Sequence, residues 1–275
     1  MKKKIQLIFP FILIFYSNIF FAQQGRFYYD FKYKIDTTGT SEANDLLVLL
    51  VDEQKNIFLS SKFVEIDSLN SLKKYERQYI NPQYNVIIEY KKNNDMFTTY
   101  KKIDMNYYKY NFKRKINWKT SNETKTILGF NVQKAVANYG GRNWIAWFCK
   151  DIPLQYGPHV FYGLPGLILE VHDDSNNFSY TLVKTENHKE YHSNFDIKNI
   201  FDQKVFEIKE KDWKIVQLNY YNNPLYNYKT IGWVMYNKNG EKFTTEDYRE
   251  LEIRTKSELK RYNNPIELSE KINYK

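Results

Sequence analysis

Three side chains in this 275-residue sequence have types that could form a hydrolytic site: Cys149, His159 and Glu170. A thiolate beside an imidazole makes a nucleophile–base pair, and a carboxylate near a histidine can act as general acid or base. An isolated cysteine, however, is more often a small buried apolar residue, and no oxyanion element is recognisable near Cys149. We therefore expect no catalytic residue, with an envelope hydrolase or peptidase as an alternative.

Metal binding is a second chemistry that the residue types allow. His159, His172, Asp173 and Asp174 could supply ligands, but the histidines lack the i,i+4 spacing of a helical zinc pair. Asp173 and Asp174 begin the polar run Asp-Asp-Ser-Asn-Asn, which is typical of a turn. The sequence therefore predicts no metal site and no cofactor.

The densest group of aromatic residues surrounds one arginine, Arg142. Trp144, Trp147, Phe161 and Tyr162 could line an apolar cleft, although alternating residues of a strand could equally form a core. Trp144 and Trp147 are predicted to point to opposite faces of their strand. Arg142 could hold a carboxylate or phosphate ligand, but we favour an internal ion pair with Asp151 or Glu170.

A glycine- and proline-containing turn follows these aromatic residues. Gly163 and Gly166 allow the backbone to approach a ligand closely, but a tight turn with Leu164 and Leu167 packed beneath it is the favoured interpretation. The candidate ligand-binding residues are therefore Arg142, Trp144, Trp147, Phe161, Tyr162, Gly163, Leu164, Pro165 and Gly166.

Alternating apolar and polar residues predict the strands that must position these side chains. Phe27, Tyr29, Phe31, Tyr33 and Ile35 share one face of a strand. Further strands are predicted over 46–51, 57–63, 84–90, 96–103, 108–118, 132–139, 144–148, 167–171 and 178–184. The fold class is α+β and β-dominated, with a curved, half-barrel-like antiparallel sheet.

One or two peripheral helices are expected beside this sheet. A helix is predicted over 67–78, and another begins near Thr244, where Asp247 completes a capping box. Phe243 and Tyr248 can form a hydrophobic staple across that start, and Pro265 follows the end of the helix.

The first 22 residues have the layout of a secretory signal peptide. Lys2, Lys3 and Lys4 precede an apolar run over 5–21, which is interrupted by Pro10 and too short for a bilayer-spanning helix. We expect residues 23–275 to form a single β-rich domain without a transmembrane anchor. The protein is predicted to be exported, either periplasmic or associated with the outer membrane or cell surface.

The distribution of charged residues along the chain argues against a nucleic-acid partner. The chain carries a formal net charge of +9, but its Lys and Arg residues are interspersed with acidic and aromatic residues. Nucleic-acid binding normally requires a concentrated basic patch, so we expect no nucleic-acid partner. The single cysteine excludes an intramolecular disulfide framework.

The run from Phe161 to Glu170, Phe-Tyr-Gly-Leu-Pro-Gly-Leu-Ile-Leu-Glu, resembles the signature of the GLPGLI family of exported Bacteroidetes-type proteins. Spaced upstream residues also resemble that family: Trp118, Glu123, Ile127, Gly129, Phe130, Gln133, Lys134, Ala135, Gly141, Arg142, Ala146, Trp147, Phe148, Ile152, Pro153, Gly157 and Pro158. Asn264–Leu268 resembles a C-terminal element of the family. Val132 stands where the family often has cysteine.

The resemblance implies an envelope setting, because genes of this family often lie near outer-membrane TonB-dependent transporters. It implies no activity, because the family has no established catalytic residues. We expect non-catalytic binding of a hydrophobic molecule or peptide, or docking to such a transporter; a structural role in a surface assembly is a further alternative. A cleft of several hundred Å³ would favour binding. His159 within about 3 Å of Cys149 or Glu170 would favour catalysis.

Overall fold

A computed structural model describes residues 25–36, 42–72, 76, 78–187, 197, 200–201 and 204–274. The predicted signal peptide at 1–22 therefore lies outside the described residues, and the single domain over 23–275 stays a prediction. Among the described residues, no helix combines the length and apolarity that a membrane crossing requires.

Twelve strands form one sheet, and every neighbouring pair is antiparallel except the last strand and its partner. The strands are β1 Gly25–Lys34, β2 Glu42–Val51, β3 Lys55–Ser60, β4 Val86–Lys91, β5 Met96–Ile103, β6 Asn106–Phe112, β7 Lys119–Ile127, β8 Phe130–Tyr139, β9 Arg142–Cys149, β10 Leu167–Asp173, β11 Phe178–Asn187 and β12 Val205–Glu207. Their order is β12-β6-β5-β4-β3-β2-β1-β11-β10-β9-β8-β7. The β-dominated fold class is thereby confirmed.

The sheet is so strongly curved that strands from its two halves contact the same C-terminal segment. β6 and β8 are nine strand positions apart, roughly 43 Å in a flat sheet. Yet Tyr110 of β6 donates to Glu270 at 2.8 Å, and Tyr139 of β8 donates to Glu267 at 2.5 Å. Three residues of chain extend at most about 11 Å, so the strands must curve toward each other around the segment 263–272. This is the curvature that the sequence predicted.

Both faces of the central strands are buried, which explains the unbroken apolar run in β2. Leu47, Leu49 and Val51 face the inner core, whereas Val48 and Leu50 face an outer cluster. A helix, α1 (Ser61–Ser71), covers that outer cluster with Phe63 and Val64.

The remaining described helices are α2 Trp213–Asn222, α3 Tyr226–Ile231 and α4 Thr245–Arg261. The start of α4 is as predicted: Thr244 and Asp247 form a capping box, and the Phe243 and Tyr248 rings meet at 5.3 Å. Capping by local side chains needs no tertiary partner, which is why the sequence located it.

Two local predictions had wrong boundaries. The helix predicted over 67–78 is helical only over its first part, because the observed helix is Ser61–Ser71 and begins directly after the strand that ends at Ser60. Residues 73–75 and 77 of the predicted range lie outside the described residues. The strand predicted to continue through Trp118 ends at Phe112. The segment 113–118 crosses between strands instead, where Trp118 donates from Nε1 to the Tyr162 carbonyl at 2.9 Å.

Candidate functional site

A cavity of about 560 Å³ lies inside the curved sheet. One wall comes from β4, β5 and β6, and another comes from the C-terminal segment at 262–270. α2 contributes Trp213 and Gln217, and the loop before the signature turn contributes His159. The volume falls in the range typical of small-molecule sites, about 300–1,000 Å³.

Aromatic rings dominate the apolar part of the wall. They are Tyr33, Tyr84, Tyr110, Phe112, Phe178, Trp213 and Tyr262. Burial raises the pKa of Tyr33 to about 12 and also raises the pKa values of Tyr84 and Tyr110. The phenols therefore stay neutral at physiological pH and offer hydroxyl groups together with apolar ring surface.

The charged side chains on this wall are engaged with other protein groups. Lys101 Nζ contacts both carboxylate oxygens of Glu270 at 2.6 and 2.7 Å. Arg114 donates to Glu267 at 3.2 Å and also bonds Glu210. Lys34 Nζ donates to the Ser175 carbonyl at 3.2 Å. Lys102 Nζ donates to Asn81 Oδ1 at 3.2 Å. The wall thus carries two cations that form internal ion pairs, Lys101 and Arg114, and two that bond only neutral oxygens among the described residues, Lys34 and Lys102.

His159, the histidine considered for a hydrolytic site, lines the cavity. It sits at a positive φ of 54°, and its Nδ1 atom is buried without a hydrogen-bond partner among the described residues. Desolvation, with a smaller contribution from Lys101, lowers the pKa of His159 to about 3. The imidazole is therefore neutral at pH 7 and can offer either a donor or an acceptor.

Cys149 and Glu170 occupy different surroundings. The Cys149 thiol is fully buried, and burial raises its pKa. Both carboxylate oxygens of Glu170 accept hydrogen bonds from Lys125 Nζ at 2.9 Å. The same Lys125 Nζ lies 4.4 Å from the centre of the Trp147 ring. The three hydrolase candidates are thus not assembled into one group. No cluster of three metal-ligating side chains exists within the described ranges.

The predicted ligand-binding residues lie outside the lining of the large cavity. Trp144 is fully buried and its ring centre is 4.5 Å from that of Phe161, while Trp147 points to the opposite face, as predicted. Phe161 and Tyr162 line a separate void of about 20 Å³. Their role in ligand contact stays a prediction.

All three guanidinium nitrogens of Arg142 donate hydrogen bonds to protein atoms. Nη1 donates to Asp173 at 3.3 Å, Nε donates to the Ile266 carbonyl at 3.1 Å, and Nη2 donates to Asn264 Oδ1 at 2.6 Å and to the Pro265 carbonyl at 2.9 Å. The internal pair therefore forms, but with Asp173 instead of Asp151 or Glu170. Arg142 holds the C-terminal segment that closes the cavity.

The turn at Gly163–Gly166 packs against the segment before it. Gly166 allows its backbone to lie against Cys149, since an added Cβ would sit 2.0 Å from the Cys149 carbonyl oxygen. Leu164 and Leu167 are buried beneath the turn, as predicted. Gly163 has a φ of 90° and open space around it. Glycine is therefore favoured at this position by the backbone conformation and not by lack of room for a side chain.

Comparison with known proteins gives a family of unknown function and a shared fold. A family model described as "Protein of unknown function (Porph_ging)" matches residues 140–170, the stretch that contains the Gly-Leu-Pro-Gly-Leu-Ile run. This match is compatible with the GLPGLI resemblance. No curated protein matches the chain in sequence.

Two crystal structures of PNGF-II, in space groups P21 and C2, are similar to this chain in structure. Each has a TM-score of 0.50 and 17% sequence identity; the alignments cover 71% and 70% of this chain and 33% and 32% of PNGF-II. The chain therefore spans about a third of the PNGF-II length. At this identity the similarity concerns the fold alone.

Most residues of the cavity wall carry no signal in the sequence that would have identified them. Thr99, His159, Gln217 and Glu270 meet there from four separate parts of the chain. The sequence marks His159 only as a candidate for catalysis or metal binding, and it marks Asn264–Leu268 through the resemblance to a recurring family segment. No spacing rule connects the others, because the curl of the sheet brings them together.

Proposed function

We propose that this protein binds a small amphipathic molecule or a short peptide segment within the curved sheet, without catalysis. The observation that carries this proposal is the 560 Å³ cavity, which has an aromatic wall and neutral hydrogen-bonding groups on the same surface. A cavity of that size supports binding over a purely structural role, because structural cores are packed nearly without voids.

We also propose that the protein acts in the cell envelope. This part rests on the N-terminal Lys2–Lys4 and apolar run over 5–21, and on the resemblance to exported proteins. Docking to an outer-membrane TonB-dependent transporter is the corresponding partner hypothesis. Mass spectrometry of the native protein should find an N-terminus near residue 23 in an envelope fraction; an intact Met1 in the cytoplasm would contradict export.

Binding is tested with N-phenyl-1-naphthylamine, a neutral aromatic dye whose fluorescence rises in apolar surroundings. We expect one dye per chain with a Kd of about 10 μM, the affinity typical of a ligand of this size. Val86→Trp should weaken dye binding at least tenfold, because Val86 lines the cavity and the indole would fill it.

Val183→Trp is the matched control, because it introduces the same side chain at a site outside the cavity. Val183 lies on β11 and is 47% exposed. It should leave the dye affinity unchanged. Equal dye binding by both variants would place the dye elsewhere and contradict the proposal.

A further inference from the structure

A second cavity, of about 400 Å³, lies between the β5–β6 hairpin and the helices α2 and α3. None of its lining residues also lines the larger cavity inside the sheet. Its volume falls within the range typical of small-molecule sites, about 300–1,000 Å³. One aspartate, four asparagines and three tyrosines make up most of its wall, so hydrogen-bonding side chains predominate.

The polar side chains of this second cavity are accessible to a ligand. Val216, Asn219 and Tyr220 are spaced by three and four positions on α2, so they share the face of the helix that lines the cavity. Asn219 is exposed, and Tyr220 is half-buried. On the opposite side, Asp104 and Tyr108 of the hairpin are half-buried as well.

Asp104 carries the only charge on this wall within the part of the chain that the structure describes, and no ion pair with it is formed there. Its Oδ2 atom accepts a hydrogen bond from the neutral Asn227 Nδ2 at 2.8 Å. Burial raises the pKa of Tyr220 to about 12, and the charge of Asp104 adds to this rise. Burial and Asp104 also raise the pKa of Tyr108. The wall is therefore negative in a chain whose formal net charge is +9.

We propose that the second cavity binds a small organic amine in its ammonium form, with Asp104 as the counterion and Tyr108, Tyr220 and Tyr226 as the aromatic wall. An ammonium group donates charge-assisted hydrogen bonds to a carboxylate and donates to amide oxygens, and the faces of aromatic rings attract cations. An anion would be repelled by Asp104. A neutral hydroxylated ligand would bond the asparagines but leave Asp104 without a counterion.

The test titrates three ligands of nearly the same shape by isothermal calorimetry at pH 7. Tryptamine is a cation, tryptophol is neutral and indole-3-acetate is an anion. We expect tryptamine to bind at least about tenfold more tightly than tryptophol, and indole-3-acetate to bind most weakly. Equal or tighter binding of tryptophol would make this a site for neutral ligands and would overturn the proposal, as would the absence of tryptamine binding.

Asp104→Asn removes the charge and keeps the shape. Asp104 has a φ of 53°, and asparagine also adopts the left-handed region readily, so the hairpin should be retained. Tryptamine should bind at least about tenfold more weakly to this variant, and tryptophol should bind unchanged.

Asp95→Asn is the matched control, because Asp95 has a φ of 51° in the turn between β4 and β5 and lines neither cavity. It should leave the tryptamine affinity unchanged. An equal loss of affinity in the two variants would show that the net charge of the protein, and not Asp104, governs tryptamine binding, and would overturn the proposal.

Two further variants locate the bound amine. Tyr226 is 58% exposed, and Tyr226→Leu should weaken tryptamine about threefold by removing a ring face. Tyr236→Leu, at a residue that is 57% exposed and outside the cavity, should have no effect. Val86→Trp should leave tryptamine binding unchanged, because Val86 lines the larger cavity. Loss of tryptamine binding in Val86→Trp would overturn the proposal, whereas failure of N-phenyl-1-naphthylamine to bind would overturn only the proposed function.

Discussion

The buried anchor formed by Arg142 and Asp173 and the cavity wall formed by β5 and α2 differ in how their polar groups are bonded. In the first, Arg142 has protein acceptors at all three of its nitrogens, and Asp173 receives three donors. In the second, Thr99 Oγ1 and Gln217 Nε2 have no hydrogen-bond partner within the part of the chain that the structure describes. Satisfied polar groups rigidify a packed core, whereas unsatisfied ones cost stability unless something binds them. The recognisable stretch 140–170 therefore supplies Arg142 to the packed anchor and also His159 to the cavity wall.

This contrast predicts large losses of stability from substitutions in the packed stretch, and the largest is expected for Arg142→Met. The change leaves Asp173, which is 1% exposed, without its counterion and frees the segment at 264–266. We expect the free energy of unfolding in urea to fall by about 3–5 kcal/mol.

Lys125→Met is the comparison for Arg142, because the Lys125–Glu170 pair is partly exposed. It should cost less than about 1 kcal/mol. Similar losses of unfolding free energy for Arg142→Met and Lys125→Met would contradict the distinction between a buried ion pair and a partly exposed one.

Within the signature turn, Gly166→Ala should be the second most damaging change. Its Cβ would overlap the Cys149 carbonyl oxygen, so the turn would have to move away from β9, at a cost of about 3 kcal/mol. Gly163→Ala meets open space and strains only a positive φ, which costs about 1 kcal/mol. Denaturant melts of the two variants measure the difference; the reverse order would refute the packing explanation of the turn.

On the cavity side, the expected effect is smaller and depends on pH. The pKa of His159 is lowered from 6.5 to about 3 in the folded protein, so the unfolded chain binds the proton more readily. The neutral histidine therefore contributes fully above pH 6.5, and this contribution is lost as the pH falls toward 3. Between pH 7 and 5 we expect a loss of about 1–2 kcal/mol from this group.

His159→Phe should flatten that part of the stability profile, since phenylalanine does not titrate. Urea melts at pH 5 and pH 7 on both proteins measure it. Parallel profiles for the variant and the original protein would show that His159 is protonated equally in the folded and unfolded states.

Local patterns predicted the parts of this fold that depend on neighbouring residues. Gly140 and Gly141 form the predicted hairpin between β8 and β9, and Thr244 with Asp247 starts α4. The error at 113–118 has the opposite origin. Ile116 and Trp118 alternate as strand residues do, but their burial comes from crossing to distant parts of the chain, where Trp118 bonds the Tyr162 carbonyl.

The partners of the candidate site were beyond local inference. Arg142 was expected to pair with Asp151 or Glu170, and it pairs with Asp173 and with a segment more than 120 positions away. Which acid it meets depends on strand register, where β10 places Asp173 opposite Trp144.

By itself, the sequence determined a β-dominated fold, its main hairpins and the capped C-terminal helix, because alternation, turns and caps act over a few residues. Only the tertiary structure decided where an open space remains. The cavity exists because twelve strands curl until Tyr110 and Tyr139 reach the same C-terminal segment. Such curvature accumulates over the whole sheet, and no single stretch of residues encodes it.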